Sequence, residues 1–219
     1  MPIESAAQLT TMVDWIPLDT PERLAFVVAA SALSLNFVGV FATIAGRADY
    51  WPPGERDWRF YAQWTLAQTF SVFLLAVAVL DWNSLDLPRT PTLVAGLVLF
   101  VPGFVAALAA GRDLGSEETV GLTGELRTGG WYRYSRNPQY VAYLVATVGF
   151  ALLANSALVS ALCALYVSWW LLLPLAEEPW LREQYGEAYE RYAASTPRFV
   201  GVRTFRRLSS DRRGSDSAT

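Results

Sequence analysis

The chain has 219 residues, of which 53% are hydrophobic, 14% are aromatic and only 17% are charged. A soluble domain averages about 25% charged residues, so this composition indicates a protein of the lipid bilayer. All 17 basic residues are arginines, and the sequence has neither lysine nor histidine. It therefore excludes a histidine metal ligand, a histidine general base and a lysine Schiff base.

The single cysteine and the small net charge limit the possible bonds and partners of the protein. The single cysteine, Cys163, lies within an apolar run, so we interpret it as a buried structural thiol. The net charge of −3 is too small to indicate a class of binding partner. We expect neither a metal nor a nucleic-acid partner.

Five apolar runs predict an all-α fold, an integral membrane helical bundle of about five transmembrane helices. Residues 1–19 before them are polar and acidic and lack the pattern of a cleaved signal. Thr20 and Pro21 then form a helix start signal. The runs are Leu24 to Ala45, Phe60 to Leu80, Thr92 to Ala110, Val141 to Ala154 and Ala157 to Ala176.

Asn155 and Ser156 are the only polar break between the last two runs. A single helix of about 38 residues would be about 57 Å long at 1.5 Å per residue, which is far more than a bilayer requires. We therefore expect a tight helical hairpin. Polar side chains within the other runs are expected to form interhelical hydrogen bonds. They are Asn36, Gln63 and Gln68.

The arginines predict the orientation of the bundle. Alternate segments between the runs carry 15 and 2 of the 17 arginines. By the positive-inside rule, five spans then place the N-terminus outside and the C-terminus in the cytoplasm. We expect a prokaryotic cell membrane. Tryptophans near the run ends are interpreted as an aromatic belt. They are Trp51, Trp58, Trp64, Trp82, Trp131 and Trp180.

A hairpin brings two polar clusters to the same end of the bundle. One is the Gly-rich, aromatic segment 124–140, and the other is the acid pair Glu177–Glu178. Glycines allow a close approach of backbone to ligand, and tyrosine faces suit a cationic sulfonium. The alternative is a purely structural salt-bridge network, because acids at membrane depth are costly unless paired.

We predict that the chain is a single domain with three functional parts. Residues 1–110 are expected to be a transmembrane scaffold, and 111–200 the loop, hairpin and acidic motif. Within the latter, Pro179 to Thr196 is amphipathic and predicts a helix on the cytoplasmic face, which Pro197 ends. Residues 201–219 are expected to be a disordered tail.

The order and spacing of these motifs resemble the isoprenylcysteine carboxyl methyltransferase family of membrane methyltransferases, with features shared by phospholipid N-methyltransferases. The resemblance covers Gly124 to Phe199. Its first element is G-x-Y-R-x-x-R-N-P-x-Y from Gly130 to Tyr140. After two apolar spans come Glu177, Glu178, Leu181, Tyr185, Gly186, Tyr189, Tyr192, Pro197, Arg198 and Phe199.

The resemblance implies that S-adenosylmethionine binds at the cytoplasmic end of the hairpin. Carried over by position, the predicted cofactor contacts are Gly124, Glu125, Leu126, Arg127, Tyr132, Asn137, Pro138, Gln139, Tyr140 and Glu177. Glu178 and Arg136 are the predicted catalytic residues. An amine acceptor must lose a proton, and without histidine or lysine the base would be Glu178 or a tyrosine.

Two positions depart from the family pattern. Asn137 stands where many members have a histidine. Leu173 stands four residues before the first acid, where prenylcysteine enzymes place an arginine for the substrate carboxylate. This second departure argues against a prenylcysteine carboxylate as the acceptor.

The sequence therefore predicts an enzyme that methylates a lipid-like or prenylated acceptor at the membrane, with membrane lipids as further partners. One alternative is an NADPH-dependent membrane reductase of sterol-reductase-like architecture. Another is a non-catalytic membrane scaffold in which the acids and arginines are structural.

Overall fold

The computed structural model describes residues 20–207 and 209, and these residues form a bundle of α-helices. No β-strand occurs in this part of the chain, where Gly54 and Leu122 form an isolated bridge. The all-α membrane architecture is thus confirmed. The long helices are α1 (Pro21–Ile44), α2 (Trp58–Leu80), α3 (Arg89–Leu114), α5 (Pro138–Ala154) and α6 (Ala157–Tyr185). Shorter elements are α4 (Ser116–Thr119), a 3-10 turn (Gly130–Arg133) and α7 (Glu187–Ser195).

Each predicted apolar run is a helix, but the helices differ in their ability to cross a bilayer. By length and composition, four are candidate membrane spans: α1, α2, α3 and α6. α5 has 17 residues, or about 25 Å at 1.5 Å per residue, the lower limit for a span. α6 does not end at Ala176 as expected but continues to Tyr185. Glu177 and Glu178 are therefore helical residues.

The predicted hairpin between α5 and α6 is confirmed. Asn155 ends α5 in the left-handed conformation, with φ 49° and ψ 45°. Ser156 begins α6, and its hydroxyl accepts a hydrogen bond from the Val159 amide at 3.0 Å. The loop 81–88 lies beside this turn, because the Leu85 amide donates to the Asn155 carbonyl at 2.9 Å. The segments 45–57 and 115–137 meet at the opposite end of the bundle, where the Gly54 amide donates a hydrogen bond to the Gly121 carbonyl at 3.0 Å.

Two helix pairs form the bundle. α1 packs along α2, α3 packs along α5, and α6 connects the pairs by contacting both α1 and α5. Glycines at the α3–α5 interface let the two backbones approach closely, as is common between membrane helices. A Cβ added at Gly103 would lie 2.8 Å from the Ala146 nitrogen, and one at Gly149 would lie 2.4 Å from the Phe100 nitrogen.

Asn36 forms the interhelical hydrogen bond that was predicted, whereas Gln63 contributes its main-chain carbonyl rather than its side chain. The Asn36 side-chain amide donates to the Gln63 main-chain carbonyl at 3.3 Å, and the Tyr50 hydroxyl donates to the Asn36 side chain. Asn36 is fully buried, so these bonds satisfy a polar group that lipid could not. Gln68, by contrast, lies on an exposed part of α2.

The C-terminal region differs from its predicted form. Pro179 to Thr196 is not one amphipathic helix, because α6 continues through Pro179 and ends at Gly186, which has φ 53°. A separate helix, α7, then begins at Glu187. Residues 202–207 are helical, so the expected disordered tail does not begin at 201. The remaining tail, 210–219, and the N-terminal segment 1–19 lie outside the described residues.

We expect Gly149→Ala to destabilise the bundle by about 1–3 kcal/mol, the usual cost of overpacking a tight interface. The added methyl group would meet the α3 backbone. Gly129→Ala is the control, since nothing lies within 4 Å of a Cβ there and φ is −92°. Thermal unfolding in detergent measures both variants. Equal melting temperatures would show that the α3–α5 contact is looser than described.

The orientation stays a prediction, with the arginine-rich end facing the cytoplasm. Cys163→Ala removes the native thiol, and single cysteines are then introduced by Ser195→Cys at the arginine-rich end or Ser84→Cys at the hairpin-turn end. Both positions are exposed. We expect an impermeant maleimide to label the Ser84 variant in intact cells and the Ser195 variant only after lysis. The reverse pattern would invert the topology.

Candidate functional site

A cleft opens at the arginine-rich end, between the ends of α3, α5 and α6 and the segment 115–137. Most of the predicted site residues line it. They are Glu125, Leu126, Arg127, Tyr132, Arg136, Asn137, Gln139, Tyr140, Glu177 and Glu178. The other two lie beside it: the Gly124 carbonyl accepts a hydrogen bond from the Tyr185 hydroxyl at 3.1 Å. Pro138 is buried at the start of α5 and faces an adjoining groove.

Glu177 is held in place by two hydrogen bonds to one of its carboxylate oxygens. The Tyr140 hydroxyl donates to Oε1, and the Trp51 indole nitrogen donates to the same atom at 2.7 Å. Tyr140 lies in the first turn of α5, and Glu177 lies late in α6, so the antiparallel hairpin itself brings them together. Both bonds go to Oε1, and no hydrogen bond within the described residues uses Oε2.

Trp51 is a site residue that the sequence pattern did not reveal. It was interpreted as part of the interfacial belt, but its side chain is buried against Gly121 and Glu177. A Cβ at Gly121 would lie 2.7 Å from the Trp51 ring, so a larger residue would clash there. Gly121 also has φ +83°, a conformation that glycine adopts readily. Trp51 comes from the loop between α1 and α2, far from the recognised motifs in sequence.

Glu178, the second acid, is surrounded by guanidinium groups. Arg198 forms a two-point contact with it, at 2.6 Å through Nε and 2.9 Å through Nη2. Arg136 approaches at 3.0 Å and Arg182 at 3.4 Å. The carboxylate is buried, so it depends on these partners to remain charged. Arg198 belongs to the quoted P-R-F motif but was not among the predicted site residues.

Backbone and amide hydrogen bonds fasten the segment before α5 to the segment after α7. The Arg136 amide donates to the Pro197 carbonyl at 2.9 Å. The Asn137 side chain and the Ser135 hydroxyl both donate to the Arg198 carbonyl, at 3.0 and 3.1 Å. The Asn137 side-chain amide, predicted to touch a cofactor, thus also positions Arg198.

Three buried tyrosines complete the inner wall. The Tyr192 hydroxyl donates to the Tyr132 carbonyl at 2.7 Å, and Arg136 donates to the Tyr189 hydroxyl at 3.1 Å. Burial raises the pKa of Tyr132, and the nearby Glu177 charge raises it further. Burial likewise raises the pKa of Tyr189 and of Tyr192. All three phenols are therefore neutral at physiological pH.

The outer rim of the cleft is more exposed and carries charges of both signs. The Glu118 carboxylate accepts from the Glu125 amide at 2.9 Å. Arg127 lies 3.3 Å from the Glu125 carboxylate and 3.9 Å from that of Glu118. No group of three or more histidine, cysteine, aspartate or glutamate side chains that could hold a metal ion occurs among the described residues.

The fold and the cleft define a class of protein: a helical membrane bundle with a polar cleft at one end. Residues 91–188 match the family model described as phospholipid methyltransferase. This match supports a membrane methyltransferase, and that family lies in the same superfamily as the isoprenylcysteine enzymes. It covers most of α3, the hairpin and the acid pair but neither Trp51 nor Arg198. No curated protein and no solved structure matches the chain.

We expect Glu178→Gln to destabilise the protein by about 3–5 kcal/mol, since it leaves buried positive charge uncompensated. The side chain of its partner Arg136 is only 12% exposed. Glu187→Gln is the matched control, because Glu187 pairs with Arg191 at a fully exposed site and should change stability by less than about 0.5 kcal/mol. Denaturant unfolding in detergent compares them. Equal effects would show that the Glu178 cluster does not hold the site together.

Proposed function

We propose that the protein is an integral membrane methyltransferase that transfers a methyl group from S-adenosylmethionine to a lipid-like acceptor. The observation that carries this proposal is the Glu177 carboxylate. It is fixed through one oxygen by Tyr140 and Trp51, with the other left for a ligand in a tyrosine-lined cleft. The phospholipid methyltransferase match over 91–188 supports the same class of reaction.

The chemistry of the cleft fits this cofactor. A carboxylate and tyrosine faces suit an ammonium and a sulfonium, and Arg127 at the rim suits a carboxylate. The Nε atom of Arg136 is buried and has no hydrogen-bond partner among the described residues. A buried donor without a partner is costly, and a ligand oxygen would satisfy it. Glu177, Arg127, Arg136 and Tyr132 are therefore proposed to hold the cofactor.

S-adenosylmethionine, when bound, supplies an electrophilic methyl group on a positively charged sulfur. The contribution of the protein is then positional, because in-line methyl transfer depends chiefly on the alignment of the two reactants. Buried tyrosines line the inner cleft and limit its contact with water. They are Tyr132, Tyr189 and Tyr192. Glu177 Oε2 is the anionic atom available to orient a cation there.

The two predicted catalytic residues have a positioning role in this proposal. Glu178 accepts from three guanidinium groups, which makes its carboxylate a poor proton acceptor. Arg136 connects Glu178 to the cleft. The raised pKa values of Tyr132, Tyr189 and Tyr192 mean that these phenols do not serve as bases. Glu177 is the remaining acid of the inner cleft.

The cleft is less suited to NADPH, the cofactor of the reductase alternative. A nucleotide 2′-phosphate needs several cations, and the inner arginines Arg136, Arg182 and Arg198 all pair with Glu178. Arg136 Nε is a single buried donor without a partner among the described residues. A non-catalytic scaffold, the other alternative, predicts that neither nucleotide cofactor binds.

We expect Glu177→Ala to weaken S-adenosylmethionine binding by more than tenfold, since a charge-assisted contact contributes about 1.5–3 kcal/mol. Glu177→Gln keeps the hydrogen bonds from Trp51 and Tyr140 and removes only the charge, so it should weaken binding as well. Glu183→Ala, on an exposed part of α6, is the control. Calorimetry with purified protein in nanodiscs gives the three affinities.

Equal affinities of the Glu177 and Glu183 variants would refute the site assignment. Binding of NADPH in place of S-adenosylmethionine would support the reductase. Binding of neither to the unaltered protein would support a scaffold.

A further inference from the structure

A second cavity lies deeper in the bundle, enclosed by α1, α2, α5 and α6, and we call it the chamber. Its volume is about 240 Å³. It adjoins the cleft through residues that line both spaces: Thr119, Gln139 and Tyr140. Trp51 lines the chamber and bonds to Glu177 in the cleft. The Tyr140–Glu177–Trp51 contact is therefore the boundary between the two spaces.

The lining of the chamber carries no acidic or basic side chain within the described chain. Its residues are Leu33, Asn36, Trp51, Gln63, Trp64, Ala67, Gln68, Phe70, Ser71, Thr119, Gln139, Tyr140, Tyr143, Tyr166, Trp169, Trp170 and Leu173. Leu173, which stands where an arginine was expected for a substrate carboxylate, is 2% exposed and forms part of this wall. A phosphate or carboxylate group in the chamber would lack a counter-charge, which is costly away from water.

Two residues that line the chamber each have a buried polar side-chain atom without a hydrogen-bond partner among the residues described. These atoms are Gln63 Oε1, an acceptor, and Trp170 Nε1, a donor. Gln63 is 4% exposed and Trp170 is 8% exposed, so bulk water does not satisfy them. Unpaired buried polar groups are rare in folded proteins and call for a partner. A ligand that both donates and accepts a hydrogen bond would supply it.

Aromatic rings shape the chamber for a flat group. Tyr143 stacks on Trp170 with ring centroids 4.6 Å apart and an interplanar angle of 14°. Tyr166 lies 4.9 Å from Trp170, and Phe70 lies 4.7 Å from Tyr166. Such a cluster favours a planar ring in stacked or edge-on contact.

One side of the chamber lies between α2 and α6. α2 packs along α1 but touches α6 at few points, which leaves a loosely packed gap between α2 and α6. Gln68 and Ser71 of α2 line the chamber, and Gln68 is exposed. An apolar tail attached to a ring in the chamber can leave through this gap into the surrounding lipid.

We infer that the chamber holds the methyl acceptor, and that this acceptor is an uncharged phenolic lipid of hydroquinone type rather than a glycerophospholipid headgroup. The inference rests on the proposed function. A hydroquinone has a flat ring, a hydroxyl that donates to Gln63 and an oxygen that accepts from Trp170. A phenol also ionises far more readily than an aliphatic alcohol, with a pKa of about 10 in the case of tyrosine.

Methyl transfer from the sulfonium to the phenol needs a proton acceptor, and Glu177 lies at the boundary between the cleft and the chamber. The phenol oxygen forms a bond to the methyl carbon, while the sulfur–carbon bond breaks and its electron pair stays on sulfur as a neutral thioether. The phenol proton passes to the Glu177 carboxylate, next to Tyr140. The positive charge of the sulfonium and the negative charge of Glu177 are thereby both removed, a change that a site with little water favours.

The test uses the purified protein in nanodiscs with methyl-labelled S-adenosylmethionine. The acceptors are 2-decylhydroquinone, dioleoylphosphatidylethanolamine and a farnesylcysteine analogue. We expect methylation of the hydroquinone, with at least tenfold lower rates for the two charged acceptors. Direct binding of 2-decylhydroquinone, without cofactor, is measured in parallel by calorimetry.

Variants of the two unpaired groups locate the ligand. Gln63→Leu and Trp170→Phe should each weaken 2-decylhydroquinone binding by about tenfold, the equivalent of roughly 1.4 kcal/mol, without changing the affinity for S-adenosylmethionine. Gln184→Leu and Trp58→Phe are the matched controls at exposed positions, and both should bind the hydroquinone like the unaltered protein.

The outcomes separate this inference from the proposed function. Efficient methylation of phosphatidylethanolamine or farnesylcysteine, with the hydroquinone inert, would overturn the acceptor class and leave the methyltransferase intact. Hydroquinone binding that is insensitive to Gln63→Leu and Trp170→Phe would overturn the chamber as its site. Failure of S-adenosylmethionine to bind would overturn the proposed function and, with it, the acceptor role of the chamber.

Discussion

The Glu177 carboxylate depends on two donors that come from opposite parts of the chain. Tyr140 reaches it across the hairpin, and Trp51 reaches it from the loop between α1 and α2. Because a buried acid is costly without partners, the placement of Glu177 depends on contacts from both the hairpin and the loop between α1 and α2. The scaffold of α1 and α2 is thus part of the cleft as well as its membrane support.

Glu178, the next residue along α6, pairs with arginines instead of with neutral donors. Its side chain joins α6 to the segment before α5 through Arg136 and to the segment after α7 through Arg198. Adjacent acids on one helix point about 100° apart, so one can face the boundary of the chamber while the other faces the arginines. One acid of the pair therefore lies at the boundary between the cleft and the chamber, and the other connects α6 to the segments before α5 and after α7.

Much of the fold could be predicted from the sequence, because apolar run length and the Asn155–Ser156 break have direct structural consequences. The motif order likewise located most of the cleft. Trp51 was missed because a tryptophan near a span end fits an interfacial belt equally well. The extension of α6 past Pro179 was missed because proline usually signals a helix end. The unpaired atoms of Gln63 and Trp170 depend on three-dimensional packing and have no sequence signature.

Ultraviolet photolabelling of the unaltered protein with methyl-labelled S-adenosylmethionine, followed by mass-spectrometric mapping, tests whether the cofactor lies against Glu177 in the cleft. We expect label in the peptides covering 124–140 and 177–192, competed away by excess S-adenosylhomocysteine. Label confined to other helices, or label that the competitor does not displace, would show that the cofactor does not bind there.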